Sequence, residues 1–175
     1  DIARHWAKTH PHQPRERPSQ MGRDAFVQKF GSIYEHSPWI AERAWAQRPF
    51  DSIDGLHAAM LAVLDTASTA EQLALICAHP ELAGKEAEEG TLTTASTGEQ
   101  RGAGLDQCSK DELQRLRSLN KAYRERFGFP FVVAVKGLSR HQIMDGVEAR
   151  LSNDRDTEFA RCLQEIGKIA RFRLD

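Results

Sequence analysis

Apolar residues recur at spacings of three and four along most of the chain, which is the pattern of helices with one buried face. One apolar run, 129–135, has the length of a strand, but the sequence offers it no partner strand. We therefore interpret it as an extended, buried connector. The pattern predicts an all-α, single-domain bundle of about seven or eight helices. The predicted helix starts are near Asp24, Pro38, Ser52, Thr69, Ser109, Ser139 and Asp156. The expected capping residues are Ser52, Thr69, Ser109 and Ser139.

The first twenty residues do not follow this pattern. They contain Pro11, Pro14 and Pro18 and few apolar side chains, which is typical of a loose, mildly basic segment. We predict a flexible N-terminal arm over 1–20, followed by a helical domain over 21–175.

Residues 80–104 also depart from the helical pattern. They are rich in Gly, Thr, Glu and Ala and poor in apolar side chains, so they are unsuited to building a core. Long polar loops in compact domains often carry function. The preceding apolar helix should end near Ala78, because His79 stands before a proline and is pushed out of helical geometry.

Charge and motif content exclude several classes of function. The formal net charge is −1, so no global field attracts nucleic acid or anionic lipid, and we expect neither partner. No stretch approaches the roughly 18–20 apolar residues of a membrane span, and no secretory segment opens the chain. Glycine-rich phosphate loops and the serine-hydrolase elbow are missing from the sequence.

The cysteines indicate a reducing compartment. There are three of them, an odd number, and none is in a CxxC spacing, so a disulfide framework is not expected. Cys77 and Cys162 lie in apolar runs and are interpreted as small core residues.

The sequence contains two groups of potential metal ligands, and neither predicts a metal site. The arm contains His5, His10 and His12 without an acidic or thiolate partner nearby. The acidic run within 81–89 has only His79 as a nitrogen ligand and no HExxH spacing, so it is interpreted as a solvated face.

His79 is the first candidate for chemistry, because it ends an apolar helix and opens the polar segment. A histidine can take or give a proton near neutral pH. The alternative is a structural histidine that bonds the last carbonyl groups of the helix. Position alone leaves both interpretations open.

The second candidate is the Ser-x-x-Glu pattern at Ser96–Gln100. Such a pattern forms capping boxes at helix starts, and the copy at Ser109 and Glu112 precedes a long apolar helix that it should cap. Ser96 and Glu99 precede no such helix, so a ligand-binding helix start and a cap remain equal alternatives there.

The third candidate is the arginine-rich C-terminus. Arg171 and Arg173 should lie on different faces of the last helix. Basic side chains in a last turn ordinarily complement the helix dipole. A guanidinium is also the natural receptor for a substrate carboxylate.

Together these segments resemble one family, the 2-oxo-4-hydroxy-4-carboxy-5-ureidoimidazoline (OHCU) decarboxylases, from about residue 24 to 174. Several motifs in the right order are more specific than any one of them, and the segment around His79 is the most diagnostic. The matching motifs are Glu35-His36-Ser37-Pro38-Trp39, Arg48-Pro49-Phe50, Ala78-His79-Pro80-Glu81-Leu82-Ala83-Gly84, Ser96-x-x-Glu99-Gln100, Ala103-Gly104-Leu105, Phe127-Gly128-Phe129-Pro130-Phe131 and Ile169-Ala170-Arg171-Phe172-Arg173-Leu174.

The resemblance implies an all-α homodimer that uses no metal or organic cofactor. It implies a carboxy-lyase that converts OHCU to (S)-allantoin and carbon dioxide, the last step of urate oxidation in purine catabolism. The C-terminus lacks the peroxisomal signal common in animal members of the family, which favours a cytoplasmic enzyme. The rival interpretation is a non-catalytic helical module that binds a ureido or purine-breakdown ligand.

The resemblance also implies residue roles. His79 and Glu99 are implied to be catalytic. Arg171 competes with Arg173 as the arginine that holds the substrate. The implied substrate-binding residues are Pro80, Ser96, Thr97, Gly98, Glu99, Gln100, Phe131, Val132, Val133, Ala134, Val135 and Arg173.

Overall fold

The computed structural model describes residues 17–175, and this part of the chain contains helices and connectors but no β-strand. The predicted all-α class is therefore confirmed. The nine α-helices of this described part are α1 (Arg23–Phe30), α2 (Trp39–Trp45), α3 (Ile53–Thr66), α4 (Thr69–Ala78), α5 (Lys85–Glu89), α6 (Thr94–Gly102), α7 (Lys110–Phe127), α8 (Arg140–Arg150) and α9 (Arg155–Leu174). Two short 3-10 turns, Pro18–Gln20 and Leu105–Gln107, complete the order.

Helices α5 and α6 lie inside the polar segment 80–104, which was expected to be a loop. The other helices begin within one residue of the predicted starts. Helix α5 buries none of its residues, and the residues that α6 buries are the polar Ser96 and Gln100. A search for apolar periodicity misses both helices, because neither has an apolar buried face.

The chain forms two compact units, and the described part of the first consists of residues 17–75 and Ala170–Asp175. Its interior is built by large apolar side chains that α1, α2 and α3 project inward at helical spacing. The Phe26 ring lies 4.9 Å from that of Phe30 and 5.7 Å from that of Phe50, centroid to centroid. Other fully buried side chains of this unit are Tyr34, Ile40, Leu56, Met60 and Leu64.

The start of the described chain is fastened to this first unit. The Ser19 hydroxyl donates to the Phe50 carbonyl at 3.2 Å and accepts the Phe50 N–H at 2.7 Å. The Trp45 indole donates to the Met21 carbonyl at 2.9 Å. Residues 1–16, which include most of the predicted flexible arm and its three histidines, lie outside the described residues.

The second unit, Ile76–Ile169, is organised around the long helix α7. The predicted cap is present: the Ser109 hydroxyl accepts the Glu112 N–H at 3.1 Å, and the Glu112 carboxylate accepts the Ser109 N–H at 2.9 Å. The helix ends at Gly128, whose φ of 80° is left-handed and suits glycine. The core side chains around it include Leu116, Tyr123, Phe127, Phe129, Ile143 and Val147.

Residues 129–135 form the predicted connector. They adopt no regular secondary structure, and most of them are buried, including Phe129, Phe131 and Val132. The Phe131 ring meets the Tyr123 ring edge-on at 5.3 Å. The run is apolar because it passes through the core of the second unit.

Two local predictions were wrong. Helix α4 is capped by Ser68, whose hydroxyl accepts the Glu71 N–H at 3.1 Å, and Thr69 is the first residue of the helix. Cys77 is exposed, whereas Cys162 is buried as predicted. The apolar run that ends at Ala78 covers more of the helix circumference than the buried face, so one of its residues faces out.

No single helix among residues 17–175 is long and apolar enough to cross a membrane, although α3 and α4, bent by 118° at their junction, meet the length and composition requirements as a pair.

Candidate active site

His79 lies immediately after the last residue of α4, as predicted from the proline that follows it. Its backbone N–H donates to the Ile76 carbonyl at 3.2 Å. The residue is 7% exposed, and its Nε2 atom is buried. The imidazole is therefore buried and does not lie on a solvated helix end.

The chain after His79 is fixed by two other helices. The Ala83 N–H donates to Gln100 Oε1 of α6 at 2.9 Å, and Asn120 Nδ2 of α7 donates to the Leu82 carbonyl at 3.0 Å. Ala83 has a φ of 49°, a left-handed conformation that costs a non-glycine residue free energy. Such a backbone persists only where its surroundings determine it, and these hydrogen bonds provide that restraint.

Gly84 closes this turn for a steric reason. A Cβ atom at this position would lie 2.8 Å from the Glu81 Cβ, closer than real contacts allow. The carboxylate of Glu81 in turn lies 3.4 Å from Arg124 of α7. The part of the segment from Glu81 to Gly84 is therefore held by contacts with α6 and α7.

Helix α6 is capped by Thr93, whose hydroxyl accepts the Ser96 N–H at 3.2 Å. Ser96 thus lies inside the first turn, and the capping-box interpretation of Ser96 and Glu99 is excluded. Residues at spacings of three and four share a helix face, so Ser96, Glu99 and Gln100 lie together. Ser96 and Gln100 are buried and Glu99 is half-buried.

Thr97 and Gly98 of the same helix face differently. The Thr97 hydroxyl donates to the Thr93 carbonyl one turn back at 2.9 Å. Gly98 is exposed, and a Cβ atom there would meet nothing within 4 Å. The five consecutive residues predicted as one binding segment therefore divide between two faces of α6.

The predicted segment from Phe131 to Val135 is held through its backbone. Arg150 Nη1 of α8 donates to the Val132 carbonyl at 2.8 Å, and the Ala134 N–H donates to Glu165 Oε1 of α9 at 3.1 Å. Phe131, Val132 and Val135 are buried, while Val133 and Ala134 are half-buried.

A buried polar cluster of Arg150, Glu158, Tyr123 and Cys162 lies beside this segment. Arg150 Nε and the Tyr123 hydroxyl both donate to Glu158 Oε1 at 2.7 Å. Burial raises the pKa of Tyr123 and of Cys162 above their ordinary values, so both stay protonated. Burial lowers the pKa of Arg150, but the hydrogen bond to Glu158 and the charge interactions around the guanidinium together outweigh burial, so the pKa lies above its ordinary value and the guanidinium stays charged.

Glu165 is an ionised buried carboxylate. Burial pushes its pKa up, but the hydrogen bonds from Lys168 and from the Ala134 N–H outweigh burial and leave the pKa below its ordinary value. Lys168 Nζ lies 2.7 Å and Arg161 Nε 3.3 Å from the Glu165 Oε2 atom.

The two C-terminal arginines belong to the first unit and differ in burial. The Arg173 side chain is 7% exposed and donates to Glu35 Oε2 at 2.9 Å and to the Ile33 carbonyl at 3.3 Å. The Arg171 side chain is 34% exposed and pairs with Asp54 and Asp175. Arg173 thus has a fixed, buried guanidinium, whereas Arg171 belongs to a surface ion-pair cluster.

Sequence reasoning missed Asn120, Arg150 and Glu165. Each has a signal in the sequence: Asn120 follows Leu116 by four residues, Arg150 follows Val147 by three, and Glu165 follows Cys162 by three, so all three are polar residues on an apolar helix face. A buried polar side chain there must find a partner. The partner of Arg150 and of Glu165 is a backbone group of the predicted segment Phe131–Val135, and that of Asn120 is the Leu82 carbonyl, two residues after the predicted Pro80.

Among residues 17–175, no three His, Cys, Asp or Glu side chains lie together as metal ligands would.

Comparison with known proteins identifies the family of the chain. The sequence model described as OHCU decarboxylase matches residues 19–175. The chain is 45% identical over 156 residues to a protein of Haloferax volcanii named 2-oxo-4-hydroxy-4-carboxy-5-ureidoimidazoline decarboxylase, covering 89% of this chain and 90% of that one.

Two solved structures are also similar. One, described as a crystal structure of (S)-allantoin synthase, is 30% identical with a TM-score of 0.70 and covers 90% of this chain and 50% of its own. The other, described as OHCU decarboxylase in the presence of (S)-allantoin, is 19% identical with a TM-score of 0.63, covers 87% of this chain and 96% of its own, and shows the fold alone.

Proposed function

The chain belongs to the OHCU decarboxylase family, and we infer that it is a carboxy-lyase that converts OHCU to (S)-allantoin and carbon dioxide, the last step of urate oxidation. The observation that supports this activity in the second unit is the Ala83–Gln100 hydrogen bond. It ties the segment that bears His79 directly to the helix that bears Ser96 and Glu99. An acid–base group and a ligand-binding face are thereby held in one rigid frame.

The chemistry of the substrate explains the residues that are needed. C4 of the five-membered ring bears a hydroxyl group and a carboxylate, and the adjacent carbon is conjugated to nitrogen. When the bond from C4 to the carboxylate breaks, the conjugated system accepts the electron pair. The substrate thus carries its own electron sink, so the protein has only to orient the carboxylate and manage protons.

His79 is the acid–base residue of this proposal. Its imidazole interacts with the C4 hydroxyl and carboxylate, and burial holds it in one orientation. Pro80 lines the binding site beside His79. Holding the ring in one pose lets a proton reach one face only, which gives a single enantiomer.

Helix α6 holds the ureido end of the substrate. The Ser96 hydroxyl and the Glu99 carboxylate share one face, and Glu99 assists the proton transfer. Gln100 has a double role, since its Oε1 accepts the Ala83 N–H while its amide nitrogen is the group assigned to the ligand. Thr97 and Gly98 complete the helix turn that carries these residues, and the Thr97 N–H and hydroxyl both donate to the Thr93 carbonyl.

Arg173 is the arginine proposed to hold an anionic or carbonyl group, and the support comes from the first unit alone. Its guanidinium is oriented by the buried Glu35 carboxylate, which is 1% exposed. An oriented fork binds a planar anion better than a mobile surface arginine such as Arg171.

Assembly and location belong to the same proposal. We assign a homodimer in the cytoplasm, and the free thiols of Cys77, Cys108 and Cys162 fit a reducing compartment. Light scattering of the purified protein tests the dimer, and fractionation of expressing cells tests the location.

Replacement of His79 tests the activity. We expect His79→Ala to lower production of (S)-allantoin from freshly generated substrate by about 10²- to 10⁴-fold, as loss of a general acid–base does. His141→Ala is the matched control, because the His141 side chain is 63% exposed. Allantoin is measured with its enantiomers resolved. Near-wild-type turnover by a folded His79→Ala protein would contradict the assignment, and no conversion by the wild type would favour a binding module.

A further inference from the structure

The segment Phe131 to Val135 is held by the two hydrogen bonds described above, from the Arg150 side chain to Val132 and from Ala134 to the Glu165 side chain. The Val132 carbonyl accepts from Arg150 of α8, and the Ala134 N–H donates to Glu165 of α9. Both groups therefore face these two helices. In an extended chain, the polar groups of residues i and i+2 point to the same side and those of residue i+1 to the opposite side. This alternation assigns the N–H and C=O of Val133 to the side opposite α8 and α9.

Arg150 is itself immobilised. Its Nε donates to Glu158 Oε1 at 2.7 Å while its Nη1 donates to Val132, so one planar guanidinium bridges a buried carboxylate and the segment. Glu158 is fully buried and also accepts from the Asn153 side-chain amide at 2.9 Å. A buried pair with this many hydrogen bonds fixes geometry, because any displacement leaves a charge uncompensated.

Glu165 divides its two oxygens between two tasks. Oε2 faces the cations of Lys168 and Arg161, and Oε1 faces the Ala134 N–H. The cations keep the carboxylate ionised in a position that is 2% exposed. A charged acceptor holds a backbone N–H more firmly than a neutral one.

We propose that Arg150 and Glu165 are positioning residues that set the register of the segment Phe131 to Val135, so that Val133 presents its backbone N–H and C=O to the substrate. A donor and an acceptor side by side match the amide edge of a ureido or imidazolone group, which offers both an N–H and a C=O. This inference rests on the proposed function of the segment. In this proposal neither Arg150 nor Glu165 contacts the substrate.

Two substitutions of Glu165 isolate the hydrogen bond to Ala134. Glu165→Gln and Glu165→Leu both remove the charge that faces Lys168 and Arg161. Only the glutamine keeps an oxygen that can accept the Ala134 N–H. A difference between the two variants therefore reports the acceptor and not the lost ion pairs.

Kinetics and amide exchange are measured on both variants. We expect Glu165→Leu to lower kcat/KM by about 10- to 100-fold, mostly through a higher KM, because the contact it disturbs serves binding. Exchange of the Ala134 amide should be faster in this variant. Glu165→Gln keeps a neutral, weaker acceptor and should restore most of the wild-type KM and most of the slow exchange. Equal KM values in the two variants, with faster Ala134 exchange in the leucine variant, would overturn the proposal.

Arg150→Lys gives an independent measurement. A lysine keeps the charge beside Glu158, but one ammonium cannot bridge Glu158 and Val132 in the fork geometry. We expect a raised KM with kcat little changed. Arg155→Lys is the control, because Arg155 also donates to a backbone carbonyl, that of Phe127 at 3.2 Å, outside the segment. An equal change of KM in both variants would contradict a specific role for Arg150.

The amide exchange separates this proposal from the proposed function. If the wild-type protein converts no substrate, the function is wrong, and Ala134 exchange still decides whether Glu165 holds the segment. If the wild type is active and the leucine variant keeps both its KM and its slow Ala134 exchange, the function stands and the positioning role is wrong.

Discussion

The second unit contains the pattern Ser-x-x-Glu twice, and the two copies have different structural roles. At Ser109 and Glu112 the side chains exchange hydrogen bonds with each other's backbone N–H and start α7. At Ser96 and Glu99 the helix has already started, because Thr93 three residues earlier carries the cap. The same residues thus form a cap in one place and a side-by-side pair on a helix face in the other.

The neighbourhood of each copy explains the difference. Glu112 is satisfied by local and surface groups: the Ser109 N–H, and Arg140 Nε at 2.9 Å. Ser96 is buried, next to a Gln100 that fastens the chain after His79. A motif read from sequence identifies residue types that can cap a helix, but the residue at which the helix begins decides whether they do.

The largest expected difference between the copies is in turnover. Glu99→Gln should lower kcat by about 10²- to 10⁴-fold, because an amide cannot serve as a proton-transfer group. Glu112→Gln should leave kcat unchanged, since Glu112 serves a helix start. Both are measured as initial rates of (S)-allantoin formation. Equal turnover in the two variants would remove the distinction between the copies.

Part of the fold and of the candidate site could be predicted from the sequence. The cap at Ser109, the break at His79 and the buried connector 129–135 were predictable, because each depends on local chemistry or on an apolar pattern. Helix α6 was not predictable, because its buried face is polar and because its cap, Thr93, lies outside the Ser96-x-x-Glu99 motif.

The partners of the site residues were harder still to predict. Each of them lies far along the chain from its backbone partner. The separation is 18 residues for Arg150 and Val132, 31 for Glu165 and Ala134, and 38 for Asn120 and Leu82. Spacing along one helix indicates that such a side chain is buried. It carries no information about the segment that the side chain meets, which only the tertiary fold determines.

The next largest difference is between the two serines. Ser96→Ala should lower kcat/KM by about tenfold, the effect of one lost hydrogen bond, with an unchanged Tm. Ser109→Ala should keep kcat/KM and lose about 1 kcal/mol of stability, a fall in Tm of roughly 2–4 °C. Thermal unfolding by circular dichroism and steady-state kinetics measure both. A lower Tm for Ser96→Ala with unchanged kinetics would return Ser96 to a structural role.

Thr93 caps a helix as Ser109 does, but its helix carries residues of the candidate site. Thr93→Ala removes the acceptor of the Ser96 N–H and should cost about 0.5–2 kcal/mol of local stability in α6. The first turn then frays, so kcat/KM should fall by about fivefold or less. Thr93→Ser keeps the hydroxyl and should restore both quantities. Loss of stability without any kinetic effect would show that the first turn of α6 is not needed for binding.

The smallest expected effect concerns the acid stability of the capping copy. The hydrogen bond from Arg140, and then that from the Ser109 N–H, lower the pKa of Glu112 from its ordinary 4.5 to about 2. A carboxyl group with a lowered pKa in the folded state stabilises that state fully above its ordinary pKa. The contribution is lost as the pH falls through the folded-state pKa. Wild-type protein should therefore exceed Glu112→Gln in stability near neutral pH, and the difference should shrink between about pH 4.5 and 2.

Urea unfolding of both proteins at a series of pH values measures this difference. Because Glu112 is near the surface, added salt should screen the interaction with Arg140 and reduce the difference at neutral pH. The Ser109 hydrogen bond is short-ranged and should persist in salt. A difference that stays constant down to pH 2 would mean that the carboxylate charge contributes nothing to the cap, and that shape alone distinguishes this copy of the motif from the one at Ser96.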